Sequence, residues 1–269
     1  ASLIGSSVKQ GAVGFSTNRL RAHVMPDGRP IPGTFATEEE LVAISTAVGN
    51  EGGILQSVIE GGDKLAEELV LIKKQLKAAQ TRLLFSAPWE PGKNGTSAYQ
   101  DAIDDMKASG LDIVGTTQPR AAAFLSGLQS NILFSMRAKG PSWRELRQRE
   151  PAERLELIRD PVYKKQLVKE AKEMVPADSI GQTLTSSRFF IPPKSSYWMG
   201  ADSRPNYTGG KEASLAILAK KAGEHPAETW LRLMDVSNGK GLFMLRFVNQ
   251  DLEALPDFMR SDWIVPGVG

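Results

Sequence analysis

The sequence predicts an α/β fold, and three observations predict it. Short apolar runs alternate with amphipathic helices through the first 119 residues, at a spacing of about 30 residues, which is the pattern of βα units around a parallel sheet. Capping residues and glycines punctuate the alternation where each helix should start and stop. After Pro119 the texture changes to short helical pieces and Ser-, Pro- and Gly-rich stretches. Residues 1–119 therefore read as βα units, 120–212 as a long helical and loop insertion over the mouth of the sheet, and 213–269 as the last helices and the start of a final strand. Four strands in series suit a doubly wound sheet or an arc of a (β/α)8 barrel, and periodicity does not separate the two.

Each element has its own signal. Val13 to Thr17 is a buried strand, preceded by a short helix that stops at Gly11. After a polar loop from Asn18 to Phe35, Thr37 and Glu40 form a capping box. Leu41, Ile44 and Val48 then line one face of a helix ending near Gly49. Gly53 to Ile59 is the second strand, and Asp63 opens a helix with Leu65, Leu69, Ile72 and Leu76 inward. Arg82 to Ala87 is the third strand, Ala98 to Ser109 a helix with Ala102, Ile103 and Met106 inward, and Leu111 to Thr117 the fourth strand. Helical pieces follow at Trp143 to Arg149, Pro151 to Asp160 and Pro161 to Met174, then a loop-rich region from Ser186 to Gly210. Glu212 to Ala222 and Pro226 to Val236 are helices, Leu242 to Val248 is an apolar run, Asp251 to Met259 a short helix, and Trp263 to Gly267 starts the final strand.

Composition narrows the function. The 269 residues are 41% hydrophobic and 24% charged, and 33 Lys+Arg against 31 Asp+Glu leave a net charge of +2. That surplus is too small for the basic footprint of a nucleic-acid binder. The absence of cysteine removes disulfides, thiolate metal sites and a Cys nucleophile. No run approaches the roughly 18 apolar residues of a membrane span, and Ala1 to Gly5 does not read as a signal peptide, having no basic stretch followed by an apolar run. Only His23 and His225 occur, far apart, so a HExxH-type centre is excluded. The expectation is a cytoplasmic protein whose partner is a small molecule, neither nucleic acid nor membrane, with its oligomeric state unspecified.

Single motifs add little. Gly209-Gly210-Lys211 lacks the spacing and the preceding strand of a phosphate loop and reads as a plain loop. Gly61-Gly62-Asp63 reads as a helix start, with an anion site the less favoured alternative. The two histidines read as loop residues and Asp104-Asp105 as a solvated face, while the aromatics from Phe189 to Trp198 suit a pocket or a core equally. The C-terminal ends of the strands, which face the site in parallel α/β folds, offer Ser16, Asn18, Arg19, Gln56, Ser57, Ser86, Trp89, Gln118 and Arg120. Two arginines there suit a carboxylate ligand or simply bridge loops. No general base of the His, Asp or Glu type is expected at these edges.

Four segments together resemble the N-acyl-D-amino-acid deacylase (D-aminoacylase) branch of the amidohydrolase superfamily. Gly11 to Arg19 (GAVGFSTNR) is similar to the family's GALGFSTSR, and Asp27 to Leu41 (DGRPIPGTFATEEEL) to its DGxPVPGTxAxxEEL. Ser126 to Ser130 is similar to LGLQSS, and Val265 to Gly269 leads towards the family's DAGAH. The resemblance implies an internal piece of a (β/α)8 TIM barrel, about strands four to eight, interrupted by the long insertion. The strand-one HxH pair and the strand-eight Asp of the family would lie outside it.

The implied activity is hydrolysis of a carbon–nitrogen bond other than a peptide bond, as in N-acyl-D-amino acid deacylation by metal-activated water. The family's strand-five histidine falls at Ser57 or Val58, its strand-six histidine at Ala87 and the nearby lysine at Trp89, and its strand-seven motif on Thr116 to Arg120. Zinc or another divalent metal would thus belong to the complete protein, with ligands and catalytic parts outside this chain. No catalytic residue is assigned within it. Trp89, Gln118 and Arg120 are the expected substrate contacts. The alternative is a metal-free pseudoenzyme or small-ligand-binding barrel; a doubly wound nucleotide binder lacks its glycine fingerprint.

Overall fold

The computed structural model describes all residues except 22, 26, 93–94, 137–139, 175–192, 203 and 268–269. The described residues divide into two compact units, Ala1–Ala121 with Asp251–Gly269, and Ala122–Gln250.

The first unit is built on strands β1 (Gly14–Asn18), β2 (Ile54–Val58), β3 (Leu83–Ser86), β4 (Ile113–Thr117) and β8 (Ile264–Pro266). They form a five-stranded sheet in the order β1-β2-β3-β4-β8, every neighbouring pair parallel. This order never reverses, so it lacks the switch point that defines a doubly wound sheet. Helices α1 (Ser2–Lys9), α2 (Glu38–Asn50), α3 (Leu65–Ala79), α4 (Gln100–Ala108) and α10 (Leu255–Met259) accompany it. Helix α2 starts where the sequence predicts: the Thr37 side chain accepts from the Glu40 N–H at 3.3 Å.

Strand alternation sorts the side chains onto two faces. Leu55, Leu83, Phe85 and Ile113 share one core with Ile44 and Val48 of α2, Leu69, Ile72 and Leu76 of α3, and Ile103 and Met106 of α4. The helix positions expected from 3.6-residue periodicity are therefore the buried ones. The other face carries Ser16, Gln56, Leu84 and Val114 in one register row. One row nearer the C-terminal ends, Asn18 pairs with Val58, and Ser86 pairs with Thr116. Those residues are only partly buried, except Ser16, which is exposed.

The second unit differs from the expected helical and loop insertion. It has its own antiparallel sheet, β5 (Ala122–Gly127), β6 (Ser196–Gly200) and β7 (Leu242–Val248), in the order β5-β7-β6. The helices are α5 (Pro141–Gln148), α6 (Pro151–Arg159), α7 (Pro161–Met174), α8 (Leu215–Ala222) and α9 (Pro226–Val236). Four of the five begin with proline, whose fixed φ and missing N–H suit the first helical position. Helices α8 and α9 and strand β7 belong to this unit rather than to the closing part of the sheet, because Trp230, Leu231, Phe243 and Leu245 join Phe134, Trp143 and Leu167 in a single core. Ser196 to Gly200 is a strand because its backbone pairs with β7, which no local pattern reveals.

Candidate functional site

Gly14, within GAVGFSTNR, has a steric role at the sheet edge. A Cβ there would lie 1.8 Å from the Ile54 carbonyl oxygen, so only glycine lets β1 approach β2 at that point. The strand then delivers Ser16 and Asn18 to the helix-free face. The Ser16 hydroxyl donates to the Gln56 side chain, and the Asn18 amide contacts His23 Nδ1. Asn18 Oδ1 also accepts the Leu20 N–H at 2.9 Å, which turns the chain into the following loop.

Arg19 is spent on structure. Its Nε donates to Glu68 Oε2 at 2.7 Å and one terminal nitrogen donates to the Ala36 carbonyl at 3.0 Å, tying the loop to α3. Of the two readings of the mouth arginines, loop bridging describes this one. Arg120 is exposed just beyond β4, and Gln118 is half-buried one residue past the end of that strand.

Trp89 is placed differently from Gln118 and Arg120. Its ring meets Phe258 of α10 edge-on, centroids 5.4 Å apart, and Phe258 in turn packs on Trp263 at 5.5 Å. The aromatic aligned with the family's lysine position is thus part of the packing that seats α10.

The positions aligned with the family's histidines offer no ligand. Ser57 turns into the helix-facing side at 1% exposure, and its buried Oγ has no hydrogen-bond partner among the described residues. Val58 shares the helix-free face with Asn18 but carries no lone pair. Ala87 is fully buried within the same core as Trp263 and Ile264. Among the described residues no group of three or more His, Asp or Glu side chains could hold a metal ion. The described residues therefore present no donor set of their own for a divalent metal, whose ligands the resemblance puts outside this chain.

Carboxylates do stand beside the C-terminal ends of the strands, which corrects the expectation that no such group would. Glu60, two residues past β2, accepts the Arg21 N–H on Oε2 at 2.8 Å. Glu90, in the loop after β3, rests its carboxylate against the loop after β2: Oε1 lies 2.6 Å from where a Cβ on Gly61 would be. Burial pushes the Glu90 carboxyl above its usual range, and a hydrogen bond from the Gly62 backbone pulls weakly the other way. Tyr99, 1% exposed, has its phenol raised well above the ordinary value by burial and then by the charge of Glu90. The signal for both glutamates was in the sequence, two and four residues beyond strand ends in βα loops.

The other motifs resolve simply. Gly62–Lys64 is a 3-10 turn that runs straight into α3, the helix start that Gly61-Gly62-Asp63 reads as. Gly209-Gly210-Lys211 leads into another such turn. His225 caps α9, its Nδ1 accepting the Ala227 N–H at 3.2 Å. Asp105 pairs with Lys73 on the surface. Trp198 packs on Phe243 at 5.1 Å, a core role, whereas Phe189 to Pro192 lie outside the described residues. No helix among the described residues is long and apolar enough to cross a membrane.

No protein-family model matches the chain, and no curated protein matches it. Among solved structures it is similar to N-acyl-D-glutamate deacylase from Bordetella bronchiseptica complexed with zinc and a phosphonate inhibitor, at 13% identity and a TM-score of 0.46. It is also similar to D-aminoacylase, in a structure described as defining a novel subset of amidohydrolases, at 13% identity and a TM-score of 0.42. Each likeness covers 98% of this chain and 40% of the other, so the chain spans well under half the length of those structures.

Proposed function

We propose that this chain is the ligand-holding part of an amidohydrolase-type (β/α)8 barrel whose complete form hydrolyses a non-peptide C–N bond, as in an N-acyl amino acid. The observation that carries the reading is the sheet itself. Strands β1 to β4, parallel and in sequence order with their helices in one core, leave the pairs Asn18–Val58 and Ser86–Thr116, polar but for Val58, at the C-terminal ends of the opposite face. A barrel arc presents its ligand-facing residues in this way. The motifs around Gly14 and Asp27 to Leu41 support the superfamily.

Among the described residues no group of donors forms a metal site. What the described residues supply is binding. Arg120 pairs its guanidinium fork with the substrate carboxylate, Gln118 hydrogen-bonds the amide, and Trp89, braced by Phe258, forms an apolar wall. The test is Arg120→Ala in the complete protein. A roughly tenfold to hundredfold loss of kcat/KM is expected, the worth of a charge-assisted hydrogen bond. It should appear on an N-acyl amino acid and not on the corresponding amide without the carboxylate. An unchanged ratio overturns the assignment.

Ser57 or Val58, with Ala87, at the family's ligand positions favours a second reading, a barrel that binds a small ligand without turning it over. Saturable binding of an N-acyl amino acid to the complete protein, with no hydrolysis and no metal after purification, would select it.

A further inference from the structure

The loop that follows β1 folds back over the start of α3 and encloses a pocket of about 180 Å³. Three cations line it, Arg19, Arg21 and Lys64, facing three carboxylates, Glu60, Glu67 and Glu68. Most of these charges are already matched. Arg19 is held by Glu68 at 2.7 Å, and Lys64 pairs with Glu67 at 2.9 Å. Two groups remain. The Arg21 guanidinium lies over the Phe35 ring at 5.7 Å and makes no ion pair among the described residues. Glu60 uses Oε2 for the Arg21 N–H at 2.8 Å, and its Oε1 accepts no hydrogen bond among them.

We propose that this pocket binds a small zwitterion of the α-amino-acid class, with the ligand carboxylate on the Arg21 guanidinium and its ammonium on Glu60 Oε1. The charge pattern sets the ligand class. The lining as a whole is neutral, so an anion or a cation alone would satisfy one open group and leave the other, whereas a zwitterion satisfies both. A guanidinium over an aromatic face still offers its planar fork, which suits a carboxylate and which lysine could not supply. Both open groups line one pocket of only about 180 Å³, so the charges of a ligand that meets both must be close together, as on an α-amino acid. Arg21 and Phe35 are both exposed, so affinity should be modest, with a Kd of about 1 mM. Binding requires no turnover and stands or falls separately from the hydrolase reading.

The experiment is an NMR titration of the whole chain with alanine, following the backbone amides of Arg21, Phe35 and Glu60. Saturable shifts are expected with alanine and glycine. Acetate, methylammonium and N-acetylalanine should each bind at least about tenfold more weakly, since each carries only one of the two charges. Arg21→Gln and Glu60→Gln should each weaken alanine by a similar factor. Glutamine at 60 can still accept the Arg21 N–H, so the thermal midpoint checks that the loop is intact. Arg149→Gln, in the other unit, should leave binding unchanged. The proposal is overturned by acetate or N-acetylalanine binding as tightly as alanine. Normal binding by both pocket variants, or no saturable shift up to about 50 mM, where a millimolar site would be filled, would overturn it equally.

Discussion

The two units are built from the same kinds of element by opposite strategies. In the first, each strand pairs with the next strand in the chain, except where β8 joins β4, and the core is largely aliphatic with helical and strand periodicity. In the second, Gly127 pairs with Leu242 across most of the unit. Its centre is a group of large rings, with Phe134 on Trp143 at 4.8 Å and Trp143 on Trp230 at 5.7 Å. A fold assembled from neighbours can be read from local periodicity, while one assembled from distant partners depends on the identity of a few large side chains.

The largest expected effect follows directly. Trp230 is fully buried at the junction of those rings, so Trp230→Ala should cost about 3–5 kcal/mol. The loss should be confined to residues 122–250, because the two cores share no residue. Native-state hydrogen exchange will show it as lost protection in β5 and β7, with β2 and β3 unchanged. Equal loss in β2 and β3 would break the separation of the units.

This contrast also explains what was legible. Leu69, Ile72 and Leu76 announced α3 and its buried face, and Thr37 announced the start of α2, since both signals lie within a few residues. Strand β6 was not legible: Ser196–Gly200 is extended because β7 lies beside it, and nothing in that pentapeptide requires it. The site was legible only in part. Strand-end positions named Ser16 and Asn18, but the placement of Trp89 on Phe258 depends on a helix more than a hundred residues later. Glu90 became unusual only when the loop at Gly61 covered it.

Two smaller effects sharpen the comparison at the level of single contacts. In the second unit Glu170, 4% exposed, accepts from Ser142 N at 3.0 Å, Ser142 Oγ at 2.6 Å and Gln166 Nε2 at 2.9 Å, so it caps α5 from α7. Glu170→Ala strands these donors and should cost about 1–3 kcal/mol, partly restored by Glu170→Gln. In the first unit the corresponding weak point is backbone proximity. Gly14→Ala pushes a methyl against the Ile54 carbonyl and should cost about 1–3 kcal/mol through strand displacement. Urea midpoints measure both. A neutral Gly14→Ala would mean that β1 can retreat from β2 without loss.

The smallest expected effect is a pair of opposite pH dependences. Arg232 hydrogen-bonds Glu224 at 2.9 Å and holds its carboxyl below the usual range, assisted by the Thr229 hydroxyl. A lowered folded pKa means that the unfolded chain binds more protons over the window between the two values. The stability from Glu224 is present above the unfolded carboxylate pKa and is lost as pH falls through the folded one. Glu90 has the reverse sign, because burial raises its folded pKa. Its neutral form is the stable one, so its contribution is fully present below the unfolded pKa and is lost as pH rises through the folded value. Glu224→Gln should therefore lower stability at neutral pH and matter little in acid. Glu90→Gln should matter little in acid and raise stability relative to the parent as the solution approaches neutrality. Urea midpoints taken at intervals from about pH 3 to pH 8, spanning both carboxylate shifts, resolve the two slopes. Slopes of the same sign would mean that Glu90 is solvated in solution, and the contact of its carboxylate with the loop at Gly61 would then not persist.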